Sequence, residues 1–314
     1  MSNLIFCLNA TIPVFLLMVL GYFFKKVKIF TPEFTKTVNM FVFKIALPVL
    51  VFKDLSTQDF FELWDGGYVL FCFVVTVFSI AIAFLLSFLL KDRSIKGEFI
   101  QSSYRSSAAL LGIGIIENVY GDSGMAPLMI IGCVPLYNVV AVMLLEFFKP
   151  DKTKFTKALV KKTFIDILKN PIIIGIFIGV LWSLIGIPQA TIFSKTVSYI
   201  SNLATPLGLM ALGASIEFGA VSDKLKPSLF ATFLKLILWP AIFLPLSVHL
   251  GFTTDKLVAI LIMLGSPTTV SCFVMAKSMG HEGTTSAACV MFTTLLSAFT
   301  LTAWLYILKS LGLV

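Results

Sequence analysis

The chain has 314 residues, 58% of them hydrophobic and only 13% charged, with a mean hydropathy of +0.99. That excludes a water-soluble globular domain, in which about a quarter of the residues are charged. A formal net charge of +8 invites a nucleic-acid reading, which the placement of the charges then excludes.

An α-helix needs about 20 apolar residues to cross a hydrocarbon core of about 30 Å, and the chain meets that length repeatedly. Met1–Phe24 is the first span; it lacks a basic leader and runs into Lys25, Lys26 and Lys28, so it reads as a span rather than a cleaved signal. The second, 37–52, carries Lys44 and Pro48; the third is Gly66–Leu90; the fourth, 97–118, carries Arg105; the fifth is Ser123–Leu145. A connection at 149–169 follows, with Phe155, Leu159, Phe164, Ile167 and Leu168 near helical spacing among seven lysines. It reads as an amphipathic helix on the membrane surface or as a solvated linker. Spans six to ten are Asn170–Ser194, Thr196–Ile216, 227–250 with Lys235, Leu257–Ala276 and Gly283–Leu308. The expectation is an all-α polytopic membrane protein of ten transmembrane helices.

With the N-terminus outside, 17 basic residues fall on inner connections and four (Lys53, Lys195, Lys256, Lys309) on outer ones. That is the positive-inside bias, so the basic charge reports topology in a cell membrane, with both termini outward and no nucleic-acid partner. The five cysteines lie inside apolar runs without metal spacing and read as packing residues.

Shifted by 158 residues, Pro13 meets Pro171, Gly21 meets Gly179 and Pro48 meets Pro206; at 159, "YGDSG" (120–124) meets "MGHEG" (279–283). Five spans on either side of the lysine-rich connection force the second copy to enter the membrane inverted. Residues 1–148 are the first five-helix repeat, 149–169 the inner connection, and 170–314 the second, inverted repeat.

Spans four and nine are interrupted at corresponding places, by Ser106 to Gly112 and Gly114 in one and by Gly265, Ser266, Pro267, Thr268, Thr269 and Ser271 in the other. Pro267 removes a donor, and Gly112 and Gly114 lower helix propensity. Broken backbone at that depth survives only inside protein or on a watery cavity, and two crossing breaks aim helix N-termini at one point, a site for an anion.

Arg105 is a cation for a carboxylate substrate or a structural arginine bonding freed carbonyls. Ser106, Ser107, Ser266, Thr268, Thr269 and Ser271 bond their own helices or face ligand, with Ser107 and Thr268 the choices for substrate. Asn138 bonds across helices or touches substrate. Pro48 and Pro206 shape their helices, with neighbours lining the scaffold side of the cavity. There is no HExxH, and His249 and His281 are the only histidines. No nucleophile–base pair or metal cluster lies at depth, so an intramembrane enzyme is disfavoured, no cofactor is expected, and coupling to H⁺ or Na⁺ stays open.

The segments "SYRSSAALLGIGIIENVYGDSG", "PLYNVV", "ATPLGLMALGASI" and "LGSPTTVSCFVMAKSMG", in this order, resemble the auxin efflux carrier family over the full chain. The resemblance implies a fold similar to bile-acid symporters and sodium–proton antiporters. Helices 1, 2, 6 and 7 would form a scaffold, and 3–5 and 8–10 a transport unit around crossed broken helices 4 and 9. It also implies homodimerisation through the scaffold and transport of an organic anion such as malate, malonate or auxin. Two positions depart from the pattern: Ser107 stands where the family often has a carboxylate-contacting Asn, and Gly114 where it has Pro. The expected function is therefore secondary active transport of a small mono- or dicarboxylate by alternating access. A sodium-coupled organic-anion symporter of the bile-acid type is the alternative, with a channel further behind.

Overall fold

The computed structural model describes residues 2–57, 65–108, 116, 125–149, 165, 169, 171–186, 188–215 and 224–314, which contain helices and turns and no strand. Helix α1 (Ser2–Lys26) precedes α2 (Pro32–Phe41) and α3 (Leu47–Ser56), which a π-helical turn at Val42–Ala46 joins end to end. Thr31 caps α2 by accepting the Phe34 N–H at 3.2 Å, ahead of a proline whose missing donor is harmless there. Then come α4 (Gly66–Leu86), α5 (Lys96–Tyr104) and α6 (Ala126–Phe147).

The second half opens with α7 (Pro171–Ile185), α8 (Thr191–Asn202) and α9 (Ala204–Ser215). Helices α10 (Leu225–Phe233) and α11 (Trp239–His249) flank a second π-helical turn, Leu234–Leu238. They are followed by α12 (Thr254–Gly265), α13 (Ser271–Ser278) and α14 (Thr284–Ser310). Pro48 and Pro206 both fall in the first turn of a helix, α3 and α9, where they set its direction without breaking it.

Among the described residues five helical stretches are long and apolar enough to cross a membrane: Gly66–Leu89, Leu128–Phe147, Thr191–Ser215, Leu225–His249 and Thr284–Ser310. Helix α7 is apolar but shorter. The protein is a multi-pass membrane protein. Residues 109–115, with Gly112 and Gly114, and most of the basic connection (150–164 and 166–168) lie outside the described residues.

Glycines set the closest helix contacts. Gly21 of α1 lies directly on the Met210 carbonyl of α9, and Gly179 of α7 lies on the Phe52 carbonyl of α3, where an added Cβ would meet that oxygen at 3.0 Å. Gly213 repeats the first contact against Met18, and Gly175 the second against Pro48. Without hydrophobic drive between helices in lipid, such close approach supplies the packing. One buried apolar cluster gathers residues of α4–α6, α10–α12 and α14, another those of α1–α3, α7, α9 and α13 together with parts of α6 and α14. Every residue of α12 from Leu257 to Gly265 is buried, so this helix is apolar all round and runs through the interior.

Polar ties close the ends. Asp65 caps α4 through the Tyr68 N–H at 3.0 Å and pairs with Lys256 at 2.6 Å; Asp92 pairs with Lys224 at 2.7 Å. The buried Glu98 accepts N–H bonds from Gly283 and Ser286, both at 2.9 Å, satisfying donors at the start of α14. Cys72, Cys133, Cys272 and Cys289 are buried free thiols.

Candidate functional site

Helix α5 stops at Tyr104 because Arg105 turns extended (φ −72°, ψ 132°), and α12 stops at Gly265 because Ser266 does the same (φ −73°, ψ 160°) ahead of Pro267. The two interruptions meet: the Ser107 N–H donates to the Pro267 carbonyl at 2.9 Å. Around them most ties go to backbone that a continuous helix would have satisfied. Thr268 Oγ1 donates to the Ser102 carbonyl at 2.8 Å, while its N–H donates to Thr293 Oγ1 at 3.0 Å. Trp239 Nε1 donates to Ser103 O at 2.6 Å, and Gln101 Nε2 to Cys272 O at 2.9 Å. Lipid offers no substitute for these partners, so the breaks require them.

The carbonyls at the end of α12 are taken by a cation. Lys235, fully buried in the second π-helical turn, donates from Nζ to Leu264 O at 2.7 Å and Met263 O at 3.1 Å, and to Ser106 Oγ. Ser106 Oγ in turn donates to Met263 O, which also accepts from Tyr137 at 3.3 Å. Lysine in this span is thus a structural cation on freed carbonyls.

Arg105 is 2% exposed. Its Nη2 donates to Asn138 Oδ1 at 2.7 Å and Ser271 Oγ at 2.9 Å; Nη1 reaches Met275 Sδ at 2.8 Å and Gln101 Oε1 at 3.5 Å. Among the described residues no carboxylate lies within ion-pair distance of it, and its Nε has no acceptor. Asn138 Nδ2 donates to Val134 O at 3.0 Å, which turns its oxygen to the guanidinium.

A cavity of about 310 Å³ opens beside this group. Arg105, Ser106, Ser107, Asn138, Thr269 and Ser271 line one wall. Lys53, Asp54 and Thr57 of the α3 end, with Asn202 and Thr205 from the α8–α9 junction, line the opposite wall. Of the remaining candidates, Ser266 is buried without a partner for its hydroxyl, Gly265 packs on Pro240, and Thr268 faces Ser102; these three and Pro267 do not line the cavity. Pro48 and Pro206 stand behind the wall, but Leu47 and Thr205, the residues before them, are on it.

The sequence motifs and this geometry agree with one family. A family model described as "Membrane transport protein" matches residues 6–305. The chain belongs to that family, the auxin efflux carriers. Its transporter relatives match from end to end. A protein of Rhizobium meliloti named "Putative malonate transporter" is 24% identical over 308 residues, 95% of each chain. An uncharacterized transporter of Methanocaldococcus jannaschii is 26% identical over 311 residues, 96% of this chain and 98% of its own. Another from Methanothermobacter thermautotrophicus is 22% identical over 308 residues, at 96% and 98%. The role of this transporter is membrane transport, not catalysis.

Sequence reasoning reached the second wall of this transporter's cavity only through the neighbours of Pro48 and Pro206, of which Leu47 and Thr205 line it. Lys53 reads as part of an outer connection, and Asp54 and Asn202 belong to no motif. The repeat pairs the two neighbours, since Leu47 and Thr205 differ by the same 158 residues as Pro48 and Pro206, but it gives no signal for Lys53, Asp54 or Asn202.

Proposed function

We propose that this protein is a secondary active transporter that carries a small organic anion with one or two carboxylates across the cell membrane. The observation that carries the reading is Arg105: a buried guanidinium on a cavity wall, with no carboxylate in ion-pair reach among the described residues and an Nε that lacks an acceptor. A buried cation without a counter-charge is costly. A substrate carboxylate would supply that charge and accept from Nε in the fork geometry that arginine offers. Asn138 and Ser271 hold the guanidinium in place, while Ser107, Thr269, Asn202 and Thr205 offer neutral hydrogen bonds around it. A volume of 310 Å³ is near the floor of the roughly 300–1,000 Å³ typical of ligand pockets, which suits an acid of malonate size. The malonate transporter name of the Rhizobium relative points the same way.

The arrangement that fits this activity is ten spans in two inverted five-helix repeats, with both termini outward. The pairs Gly21–Met210 and Gly179–Phe52 support it, since each residue of the second pair lies 158 positions from its counterpart in the first. The Ser107–Pro267 bond supports crossed breaks. Transport then follows from movement of the unit bearing the breaks against the unit of α1, α3, α7 and α9, which exposes the Arg105 cavity to each side in turn. Against the sodium-coupled alternative stands Lys235, whose ammonium already occupies the carbonyls that a Na⁺ ion would use. Coupling to a proton, or anion exchange, is the reading we favour.

The test is thermal stabilisation of detergent-solubilised protein by a carboxylate panel, with and without Na⁺, at two pH values. Stabilisation by malonate or malate that Na⁺ does not enhance, and that Arg105→Gln abolishes, supports the reading. Silence across the panel by folded protein overturns the organic-acid substrate, and a Na⁺ requirement restores the alternative.

A further inference from the structure

A second cavity, of about 950 Å³, lies apart from the Arg105 site, between the turn that links α1 to α2, α2 itself and the ends of α9 and α13. Lys25, Lys28, Lys36, Lys44 and Lys277 line it, against one carboxylate, Glu33. Four of them lie within residues 25–44 and the fifth, Lys277, is brought to them from α13 by the fold. The cavity is open on one side and Lys28, Lys36, Lys44 and Lys277 are exposed, with Lys277 Nζ donating to the Glu282 carbonyl at 3.1 Å; an anion among these like charges relieves their mutual repulsion.

Two details make this more than a basic rim. Lys44 stands in the π-helical turn between α2 and α3, a distortion frequent at functional sites. Asn39 lines the cavity, is 4% exposed, and its Oδ1 has no donor. The cavity therefore offers cations for an anion and an acceptor for a hydroxyl. At its edge Val27, Ile29 and Phe34 are exposed apolar side chains beside the lining residues.

We propose that this cavity holds the headgroup of an anionic glycerophospholipid with free headgroup hydroxyls, as in phosphatidylglycerol. The phosphate sits among the lysines, a glycerol hydroxyl donates to Asn39 Oδ1, and the acyl chains run along Val27, Ile29 and Phe34. A basic pocket between membrane helices is the setting in which such headgroups are recognised. Lys277 belongs to α13 and the other lysines to the α1–α3 stretch, so the lipid ties the element after the broken helix to its neighbours. This site is independent of the Arg105 reading.

The experiment titrates delipidated full-length protein in mild detergent with phosphatidylglycerol, phosphatidylcholine, phosphatidic acid and sn-glycerol 3-phosphate, following thermal unfolding. Phosphatidylglycerol is expected to raise the midpoint by several degrees and phosphatidylcholine to leave it unchanged. Lys36→Gln with Lys44→Gln should weaken the phosphatidylglycerol response about 30-fold in concentration, as two surface lysines near a phosphate would. Asn39→Leu, which leaves every charge in place, should erase the advantage of phosphatidylglycerol over phosphatidic acid and serves alone if the double variant does not fold. Arg105→Gln should keep the full lipid preference. An equal response to both zwitterionic and anionic lipid, an undiminished preference in the variants, or a glycerol phosphate response matching the lipid overturns the proposal; the last would make this a site for a soluble phosphate. Displacement of the lipid by malonate would overturn it too, making the cavity a substrate vestibule.

Discussion

The N–H of Ser107 donates to the carbonyl of Pro267 at 2.9 Å, so each interrupted helix supplies what the other lost at its break. The two breaks therefore stand or fall together, and the cavity wall they form is rigid where Arg105 emerges from it. Four consequences can be measured.

Ser107→Trp is expected to fill much of the 310 Å³ cavity. Its side chain has no route into the packed breaks behind it. Carboxylate-dependent thermal stabilisation should disappear while membrane insertion and the ligand-free midpoint change little. Retained affinity would move the substrate elsewhere.

Arg105→Lys keeps a charge but loses the fork held by Asn138 and Ser271. Substrate affinity should fall by about 2–4 kcal/mol, the loss seen when one side of a buried charge pair is altered. Isothermal titration or counterflow in vesicles reads it. A change under tenfold would make Arg105 a structural arginine.

Lys235→Met strips the donor from Leu264 O and Ser106 Oγ in one step, while Met263 O keeps those from Ser106 and Tyr137. Unfolding should become easier by about 1–3 kcal/mol for the buried acceptors left unmet. Na⁺ should stabilise this variant and not the parent chain, because the vacated carbonyls suit a small cation. Denaturation in NaCl against choline chloride separates the two, and Na⁺ stabilisation of the parent chain would contradict the role assigned to Lys235.

At the ends of the bundle, Lys256 beside Asp65 and Lys224 beside Asp92 hold both carboxyls below their usual range, chiefly through the side-chain hydrogen bond in each pair. A depressed folded-state pKa contributes stability above the unfolded value, about 3.9, and loses it as pH falls through the folded value. These two pairs should therefore contribute a constant stabilisation between pH 5 and 8, within the roughly 0.2–1 kcal/mol of exposed pairs, and lose it progressively below about pH 4. Asp65→Asn keeps the cap on Tyr68 and should cost less than about 1 kcal/mol; Asp65→Ala loses cap and pair together and should cost about 1 kcal/mol more.

Much of this protein was legible before any coordinate. Composition and run length are enough to demand a membrane protein, because lipid tolerates only backbone that is internally satisfied. Pro267 with its flanking Gly265 and hydroxyls located the break after α12, and Ser106 and Ser107 the break after α5, since small, hydroxylated or helix-breaking residues interrupt an apolar helix. Arg105 and Asn138 stood out because a charge or an amide at depth must have a partner.

What the linear pattern left undecided is which hydroxyls face the cavity. Ser266, Thr268, Thr269 and Ser271 read alike in sequence, yet Thr268 turns to the Ser102 carbonyl while Thr269 and Ser271 line the wall. An extended break has no helical period, so its side chains are aimed by the neighbours they meet and not by their spacing. The same holds for Lys235 on the carbonyls of α12, for the five lysines around the second cavity, and for Lys53, Asp54, Asn202 and Thr205 across from Arg105. Sequence by itself determined a many-helix membrane protein with two interruptions and one cation beside them. Only the tertiary structure decided what each cation meets, because those partners lie far along the chain and are brought together by glycine-mediated helix packing.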